Sequence, residues 1–359
     1  MPERRSNPYL ANAHAAITTL QTYYNSPYQG FWTDGWWNSA NTLTFLADLR
    51  RKDSSKFLTG LTDGQNGIFQ HTLDSQHRDS TGALTYDDFF DDELWWVVGL
   101  ISAYDTTGQR EYLLAANESF AKVVRDDQPS PCGGIYNAYA GEQYRVSSST
   151  IATALYVEAA AQLANRMPAM KSHYIQLAQN KWAWIKSNLL IDGIIQGDSL
   201  TDYPSCNNNH AFLTYIEGVC ISGLVALNRA TGNAAYLATA ESIANETMSG
   251  NYGGMVVNGI LTEFCDADLS CNQDEAQFKG IFMRGLKVLH DAKPTAANNG
   301  IPAFLRANAD SIWAKSRNGN NLLGLKWAGP FAMGADAATQ LASHSSATMA
   351  LVYAAMVSM

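Results

Sequence analysis

The chain has 359 residues, 46% of them hydrophobic, with 24 Lys and Arg against 33 Asp and Glu and a formal net charge of −9. Phosphate binding needs clustered cations, and the few here are scattered, so neither a nucleic acid nor an anionic membrane is an expected partner. The length would suit two or three ordinary domains. No linker, charge block or low-complexity tract divides it, so a single domain over residues 1–359 around one large core is expected.

Apolar residues recur at helical spacing almost throughout, and alternating strand patterns are missing. Helices are predicted at 8–25, 37–51, 54–75, 89–106, 109–126, 148–166, 168–190, 210–230, 233–248, 273–291, 297–317 and 337–357. The connections near Arg51–Lys52, Thr107–Gly108, Met167–Pro168, Thr231–Gly232 and 292–296 are short, several ending a helix with Gly or opening one with Pro. Those at 26–36, 76–88, 127–147, 192–209, 249–272 and 318–336 are long and mostly rich in Gly, Asn and aromatics. Thr107-Gly108-Gln109 followed by Tyr112-Leu113 recurs as Thr231-Gly232-Asn233 followed by Tyr236-Leu237, at equivalent junctions. Strict alternation of short and long connections describes an all-α fold, an (α/α)6 toroid of six helical hairpins. An α-solenoid also stacks hairpins, but six units with one decorated edge favour the closed ring. Even-numbered helices line its inside. The long loops precede them, so the working groove is expected at the N-terminal ends of the inner helices.

Many of the 9 Trp, 17 Tyr and 13 Phe fall in predicted loops or at helix starts, where flat faces suit sugar rings. The richest chemistry is Tyr86-Asp87-Asp88-Phe89-Phe90-Asp91-Asp92-Glu93-Leu94-Trp95-Trp96, where the second long loop meets the inner ring. An acid at a helix start ordinarily caps it. Capping needs one or two carboxylates, however, and five acids fall within seven positions here. The flanking aromatics lower the local dielectric and raise the pKa of an adjacent acid. Glycoside hydrolysis needs one ionised carboxylate and one protonated carboxyl about the anomeric carbon, about 5–5.5 Å apart in retaining enzymes. Neighbouring helical residues diverge by about 100° and can span that gap.

Other chemistries find little support. The seven His lack HxxxH or HExxH spacing, so no zinc or other metal and no cofactor is expected. Asp266, Asp268 and Ser270 alternate like calcium ligands, but the loop lacks an EF-hand's glycine and closing Glu, and a solvated loop is the better reading. Nucleophile-elbow, phosphate-loop and dinucleotide fingerprints are missing. Trp36–Trp37 is core or groove wall, and Gly133-Gly134-Ile135-Tyr136 a turn or groove element. Five cysteines leave one unpaired if the rest bridge, and Cys265 and Cys271, six apart, suit a local disulfide in an oxidising compartment. The sequons Asn117–Ser119 and Asn245–Thr247 agree with a secreted or cell-surface location. No apolar leader follows Met1–Arg5, so the chain is expected to start at a mature or engineered end. The last stretch, 337–359, is too polar for a membrane span.

Taken together the motifs resemble glycoside hydrolase family 76, the endo-acting α-1,6-mannanases. They are Trp37-Asn38-Ser39-Ala40-Asn41, Asp91-Asp92-Glu93-Leu94-Trp95-Trp96, Cys132-Gly133-Gly134-Ile135-Tyr136 and Thr214-Tyr215 with Gly218. Glu263, Cys265, Cys271, Gln277-Phe278-Lys279-Gly280-Ile281-Phe282 and Trp327 with Gly329-Pro330 follow in order. The resemblance spans nearly the whole chain. It implies Asp91 as nucleophile and Asp92 as general acid/base of a retaining mechanism, in preference to Asp87–Asp88, which no Trp pair follows at the right offset. It further implies a substrate-binding groove of Trp37, Asn41, Asp88, Trp95, Trp96, Tyr136, Tyr215, Glu217, Lys279 and Trp327. The substrate is then α-1,6-mannan or an oligosaccharide of it, and the enzyme a monomer. Tyr136–Asn137, Ile216–Glu217 and Ser147–Thr150 depart from the family's usual residues, and all touch the groove, which leaves a differently branched mannan or a glycan on another carrier open. Transglycosylation of fungal cell-wall glycans differs only in the acceptor. A catalytically weakened glycan-binding relative is a second reading. A uronide hydrolase or sugar epimerase of the same fold ranks last, since its carboxylate substrate would find few cations beyond Arg78 and Arg145.

Overall fold

The structure is a computed structural model and describes residues 7–24, 31–32, 35–75, 88–128, 130–139, 147–293 and 300–359. Among these residues thirteen α-helices follow one another: α1 (Pro8–Leu20), α2 (Trp36–Arg50), α3 (Lys56–Thr62), α4 (Ile68–Ser75), α5 (Phe90–Thr107), α6 (Arg110–Asp126), α7 (Thr150–Ala164), α8 (Lys171–Asn188), α9 (Thr214–Thr231), α10 (Ala234–Ser249), α11 (Phe278–Ala292), α12 (Ile301–Lys315) and α13 (Ala337–Met356).

Helices α2, α5, α7, α9, α11 and α13 pack each on the next, and α13 returns to α2, which closes the ring. Nearly every residue of α7, α9 and α13 is buried. A helix buried on all sides cannot carry a polar face, so these sequences run in Ala, Gly, Ser, Thr and aliphatics. Small residues let the axes approach. A Cβ on Gly285 of α11 would stand 2.4 Å from the carbonyl oxygen of Gly218 in α9, so two glycines meet where these helices cross. The outer helices are one-sided by contrast. In α6, Tyr112, Leu113, Ala116, Phe120 and Val123 face inward, while Glu111, Leu114, Glu118 and Ala121 stay exposed at helical spacing. Helix α6 lies on α5, α8 on α7, α10 on α9, and both α1 and α12 on α13. The expected toroid is therefore present, inner and outer helices as assigned.

Two expectations need correction. The helix predicted over 54–75 is two short ones, because Asp63-Gly64-Gln65-Asn66-Gly67 supplies few helix formers. Gly64 adopts φ +81°, and Asp63 is held instead by a two-pronged bond from Arg50 (2.7 and 3.1 Å) and by Thr62 Oγ1 (2.7 Å). Short strands also exist, all in the long connections. Strands β1 (Ile135–Tyr136), β2 (Ser148–Ser149), β3 (Leu190–Ile191), β4 (Ile194–Ile195), β5 (Ser199–Thr201) and β6 (Asn207–Asn208) precede β7 (Val256–Val257) and β8 (Ile260–Leu261). Strands β1, β2, β5 and β6 make one antiparallel sheet in that order, with Ile135 opposite Ser149 and Ser148 opposite Leu200. The sheet ties the loops before α7 and α9 together, too briefly per strand to leave an alternating pattern. A disulfide between Cys132 and Cys206 adds a second tie, the expected Cys265–Cys271 bond is present, and Cys220 is a buried free thiol. Among the described residues no helix is long and apolar enough to cross a membrane.

The seam between first and last helices is polar. Fully buried His344 of α13 accepts from Leu323 N through Nδ1 (3.0 Å) and donates from Nε2 to Ala16 O of α1 (3.0 Å). Burial pulls its pKa down to about 4, and the bond to Ala16 opposes this. A depressed folded value means stability that is complete above the unfolded value of about 6.5 and is lost as pH falls towards 4, by up to ~3 kcal/mol. His344→Gln keeps one acceptor and one donor but does not titrate. Its melting temperature should lie below wild type at pH 7, and the gap should close or reverse by pH 4, as read by thermal melts across that range.

Candidate active site

Helix α5 begins without a side-chain cap. Phe89 occupies the capping position in an extended conformation, and Asp91, Asp92 and Glu93 fall in the first turn. The entry is fixed by backbone. Phe90 N donates to Asn137 O (3.0 Å) and Tyr139 N to Asp88 O (2.9 Å), while the Phe90 ring lies 4.0 Å from that of Tyr139. Asp91 and Asp92 are each half-buried, and Glu93, Trp95 and Trp96 are buried. The Oδ1 atom of Asp91 is sealed from solvent without a hydrogen-bond partner among the described residues. Burial pushes Asp91 up to about 7, the charges of Asp274 and Asp198 add to the rise, and the N–H groups of Asp91 and Asp92 oppose it. Of these effects desolvation is the largest, exceeding the helix N-terminus that would keep the group ionised.

Asp198 and Asp274 were not singled out in the sequence. Asp198 lies in the turn between β4 and β5, where Thr150 N donates to its carbonyl (2.9 Å) and Tyr215 Oη to its carboxylate (3.4 Å). Burial raises its pKa and the Tyr215 bond lowers it. Asp274, just before α11, accepts a 2.8 Å bond from Trp37 Nε1. Nothing local marks Asp198, sixteen positions before α9, since only the pairing of β5 with β2 brings it in. Asp274 had a signal: it is an acid three residues ahead of the Gln277-Phe278-Lys279 motif, at an inner-helix start.

The other anticipated residues divide into two groups. Trp37 stacks on Trp95 (5.5 Å, 24°) and Trp36 leans on Trp96 (5.6 Å, 59°), so both Trp pairs form one aromatic block below the acids. Arg284 lies 5.5 Å from the Trp95 ring and pairs with Glu158 (2.9 Å). Tyr215 stacks flat on Phe278 (3.7 Å, 3°), and its hydroxyl is raised well above its ordinary value by burial, then by Asp198, Asp91, Asp274 and Glu263. Tyr136 is half-buried in β1, and Asp88 is exposed. Asp87, Arg78 and Arg145 lie outside the described residues.

The second group sits beneath the groove surface. Asn41 is buried, its amide bonded to Gln277 Oε1 (3.4 Å). Glu217 is fully buried, accepts from Ile195 N (3.2 Å) and is pushed well above the carboxylate range by burial. Lys279 is fully buried in an ion pair with Asp266, donates to Leu325 O (3.0 Å) and stands 5.4 Å from the buried Trp327 ring. These side chains support the site rather than line its surface. Glu263 acts similarly, accepting from Thr214 N (3.1 Å) and Thr214 Oγ1 at the start of α9, while burial lifts it to about 8.

Cys265, Asp266 and Cys271 are the one metal-like grouping among the described residues. Its sulfurs are joined to each other and Asp266 is committed to Lys279, so it offers no open ligand set. The Asp268 carboxylate is turned to Ser270 (2.7 Å), as suits a solvated loop. Trp95 and Trp96, expected to line the groove, are as buried as Asn41. What remains is a pair of half-buried carboxyls and two further acids above a packed aromatic block, with Trp36 and Tyr136 half-buried, a combination suited to a neutral polyhydroxylated ligand.

The model of glycosyl hydrolase family 76 matches residues 9–359. A putative mannan endo-1,6-α-mannosidase of Schizosaccharomyces pombe is 23% identical over 320 residues, 83% of this chain and 69% of that protein. The mannan endo-1,6-α-mannosidase DCW1 of Saccharomyces cerevisiae is 24% identical over 256 residues, and the chain spans only 54% of its length. Among solved structures, an inactive α-1,6-mannanase variant of Salegentibacter sp. HEL1_6, with two adjacent Asp→Asn substitutions and α-1,6-mannotriose bound, superposes with TM-score 0.76 at 20% identity, covering 97% of this chain and 99% of that one. With the match running over all but the first eight residues, the chain belongs to glycosyl hydrolase family 76.

Proposed function

We propose that the protein is a retaining, endo-acting glycoside hydrolase that cleaves α-1,6-mannosidic linkages in mannan. The observation that carries the reading is Asp91, whose sealed Oδ1 has no partner beside Asp92 at the open end of an inner helix. Asp91 is half-buried, so part of the carboxyl stays accessible to a ligand while its buried oxygen makes no bond that commits it to the fold. The substrates named for the mannosidase relatives, and the mannotriose held by a protein of the same fold, support the sugar and linkage. In this reading Asp91 attacks the anomeric carbon while Asp92 protonates the departing glycosidic oxygen. The resulting glycosyl ester on Asp91 is released by water, which gives its proton back to Asp92. Two disulfides support a secreted or cell-surface setting, and the enzyme is read as a monomer.

Linear α-1,6-mannan should yield shorter oligosaccharides from internal cuts, with the α-anomer appearing first by proton NMR. Products longer than the substrate would assign transfer to a sugar acceptor, and an inverted first product would remove the covalent step. Absence of both cleavage and transfer would overturn the reading.

Attack requires ionised Asp91, which the free protein holds protonated below about pH 7. The profile of kcat/KM against pH should therefore rise towards 7, and Asp198→Asn, which removes one of the two neighbouring charges, should move that limb to lower pH.

Asp91→Asn should lower kcat roughly 10³-fold or more. It should also stabilise the fold. The raised folded value means that folding carries no cost from this group below about pH 3.9 and the full cost above 7, up to ~4 kcal/mol. The variant's melting temperature should thus exceed wild type at pH 8 and match it near pH 4. A capping role for Asp91 would reverse that sign.

A further inference from the structure

We infer that the free carboxylate oxygen of Asp274 accepts a hydroxyl of the sugar unit held against Asp91, and that Trp37 is the positioning residue that fixes its direction. The inference rests on the glycosidase reading above and adds a contact to it.

Asp274 stands in the turn leading into α11, where an acid ordinarily serves the helix end. That duty is already filled. Asn272 Oδ1 accepts from Asp274 N (2.8 Å) and Glu275 N (3.0 Å), and Glu275 Oε2 accepts from Asn272 N (2.9 Å), a reciprocal cap. The Asp274 side chain is left over. It is exposed, and among the described residues no cation pairs with it. One oxygen, Oδ1, is committed to Trp37 Nε1 at 2.8 Å, which leaves Oδ2 open in a fixed orientation.

The mounting is rigid. Trp37 is clamped between this bond and its stack on Trp95. Directly below, Gln273 Nε2 donates to Asn38 Oδ1 (2.9 Å), Asn38 Nδ2 to Gln277 Oε1 (3.1 Å), and Gln277 Nε2 to Asn38 O (3.1 Å) and Ser345 Oγ (3.1 Å). This buried amide network joins α2, α11 and α13 and holds both Trp37 and Asp274. The charge of Asp274 reaches Asp91 and Tyr215, which puts it on the same side of the groove. A carboxylate held near another acid, with no counter-ion among the described residues, gains little from those neighbours beyond the indole bond. A sugar hydroxyl would complete it without adding charge, and a hydrogen bond to an ionised acceptor is among the stronger ones a neutral ligand can make.

The test compares Asp91→Asn with Asp91→Asn/Asp274→Asn by calorimetric titration of α-1,6-mannotriose. Asparagine keeps the oxygen that Trp37 needs, so the melting temperature should hold while affinity drops about tenfold or more. In the active background, Asp274→Asn should raise KM by a similar factor. Trp37→Phe, which keeps the stack and loses the N–H, should raise it less. Equal affinities in the two Asp91→Asn proteins would overturn the contact while leaving the glycosidase reading intact. No binding by Asp91→Asn, with no cleavage by wild type, would remove that reading and this inference together.

Discussion

The constraint on which the rest depends is that the inner helices are buried on every side. Such a helix has no face on which to display chemistry, so only its ends remain. The ring aligns six N-terminal ends around one opening, each presenting N–H groups without intrahelical partners. Helices α7 and α13 satisfy some of theirs with Ser149 and Asp336, whereas α2, α5 and α9 have no side-chain cap and α11 is capped only through the turn before it, by Asn272 and Glu275. Those four ends carry Trp37, the Asp91–Asp92 pair, Tyr215 and the approach from Asp274. The concentration of acids there answers a need of the ring itself, since helix ends with a positive partial charge tolerate carboxylates better than other buried places do. The candidate site in this architecture is built on a structural surplus of N–H donors.

That surplus does not cancel the cost of burying Asp91. The N–H groups of its own turn lower its pKa, yet desolvation and two neighbouring carboxylates outweigh them. Glu217 and Glu263 are also raised by burial, but each is tied to a backbone N–H, of Ile195 and Thr214 respectively, and each stitches a loop to α9. The contrast separates roles among buried acids. Glu217 and Glu263 return their burial cost as architecture, and Asp91 Oδ1 returns none within the protein. An acid that destabilises the resting fold without bracing it is the one that the proposed function assigns to a ligand.

The sequence carried the fold further than the site. Helical periodicity, Thr-Gly junctions and the alternation of loop lengths express backbone preferences local to a few residues, so the six hairpins and the groove edge were legible. The break at Asp63–Gly67 and the small sheet were missed, because a five-residue turn and two-residue strands leave no period to detect. Asp91–Asp92, Trp37, Trp95 and Tyr215 stood out because they sit near helix starts within compact motifs, and the structure brings them close together. Glu217 and Lys279 sit in the same motifs but turn inward, and a motif does not say which way its polar residue points. Asp198 depends on strand pairing across tens of residues and was invisible.

The buried residues of those motifs explain why motif and groove are not the same set. Gln277 binds Asn38, lies near Asn41 and reaches Ser345, while Lys279 two residues on holds Asp266 inside the small disulfide loop. Gly280 and Gly285 of the same helix bring Ser346 and Gly218 within backbone contact. One stretch of α11 thus fixes its register against α2, α9 and α13 simultaneously. Moving it by a single residue would displace Phe278 from Tyr215 and Asp274 from Trp37 together. A groove built from the ends of separate helices has no local means of keeping its residues in register. The buried amides, the Lys279–Asp266 pair and the glycine crossings supply it from within the ring, and the motif therefore records the alignment of the site as much as its surface.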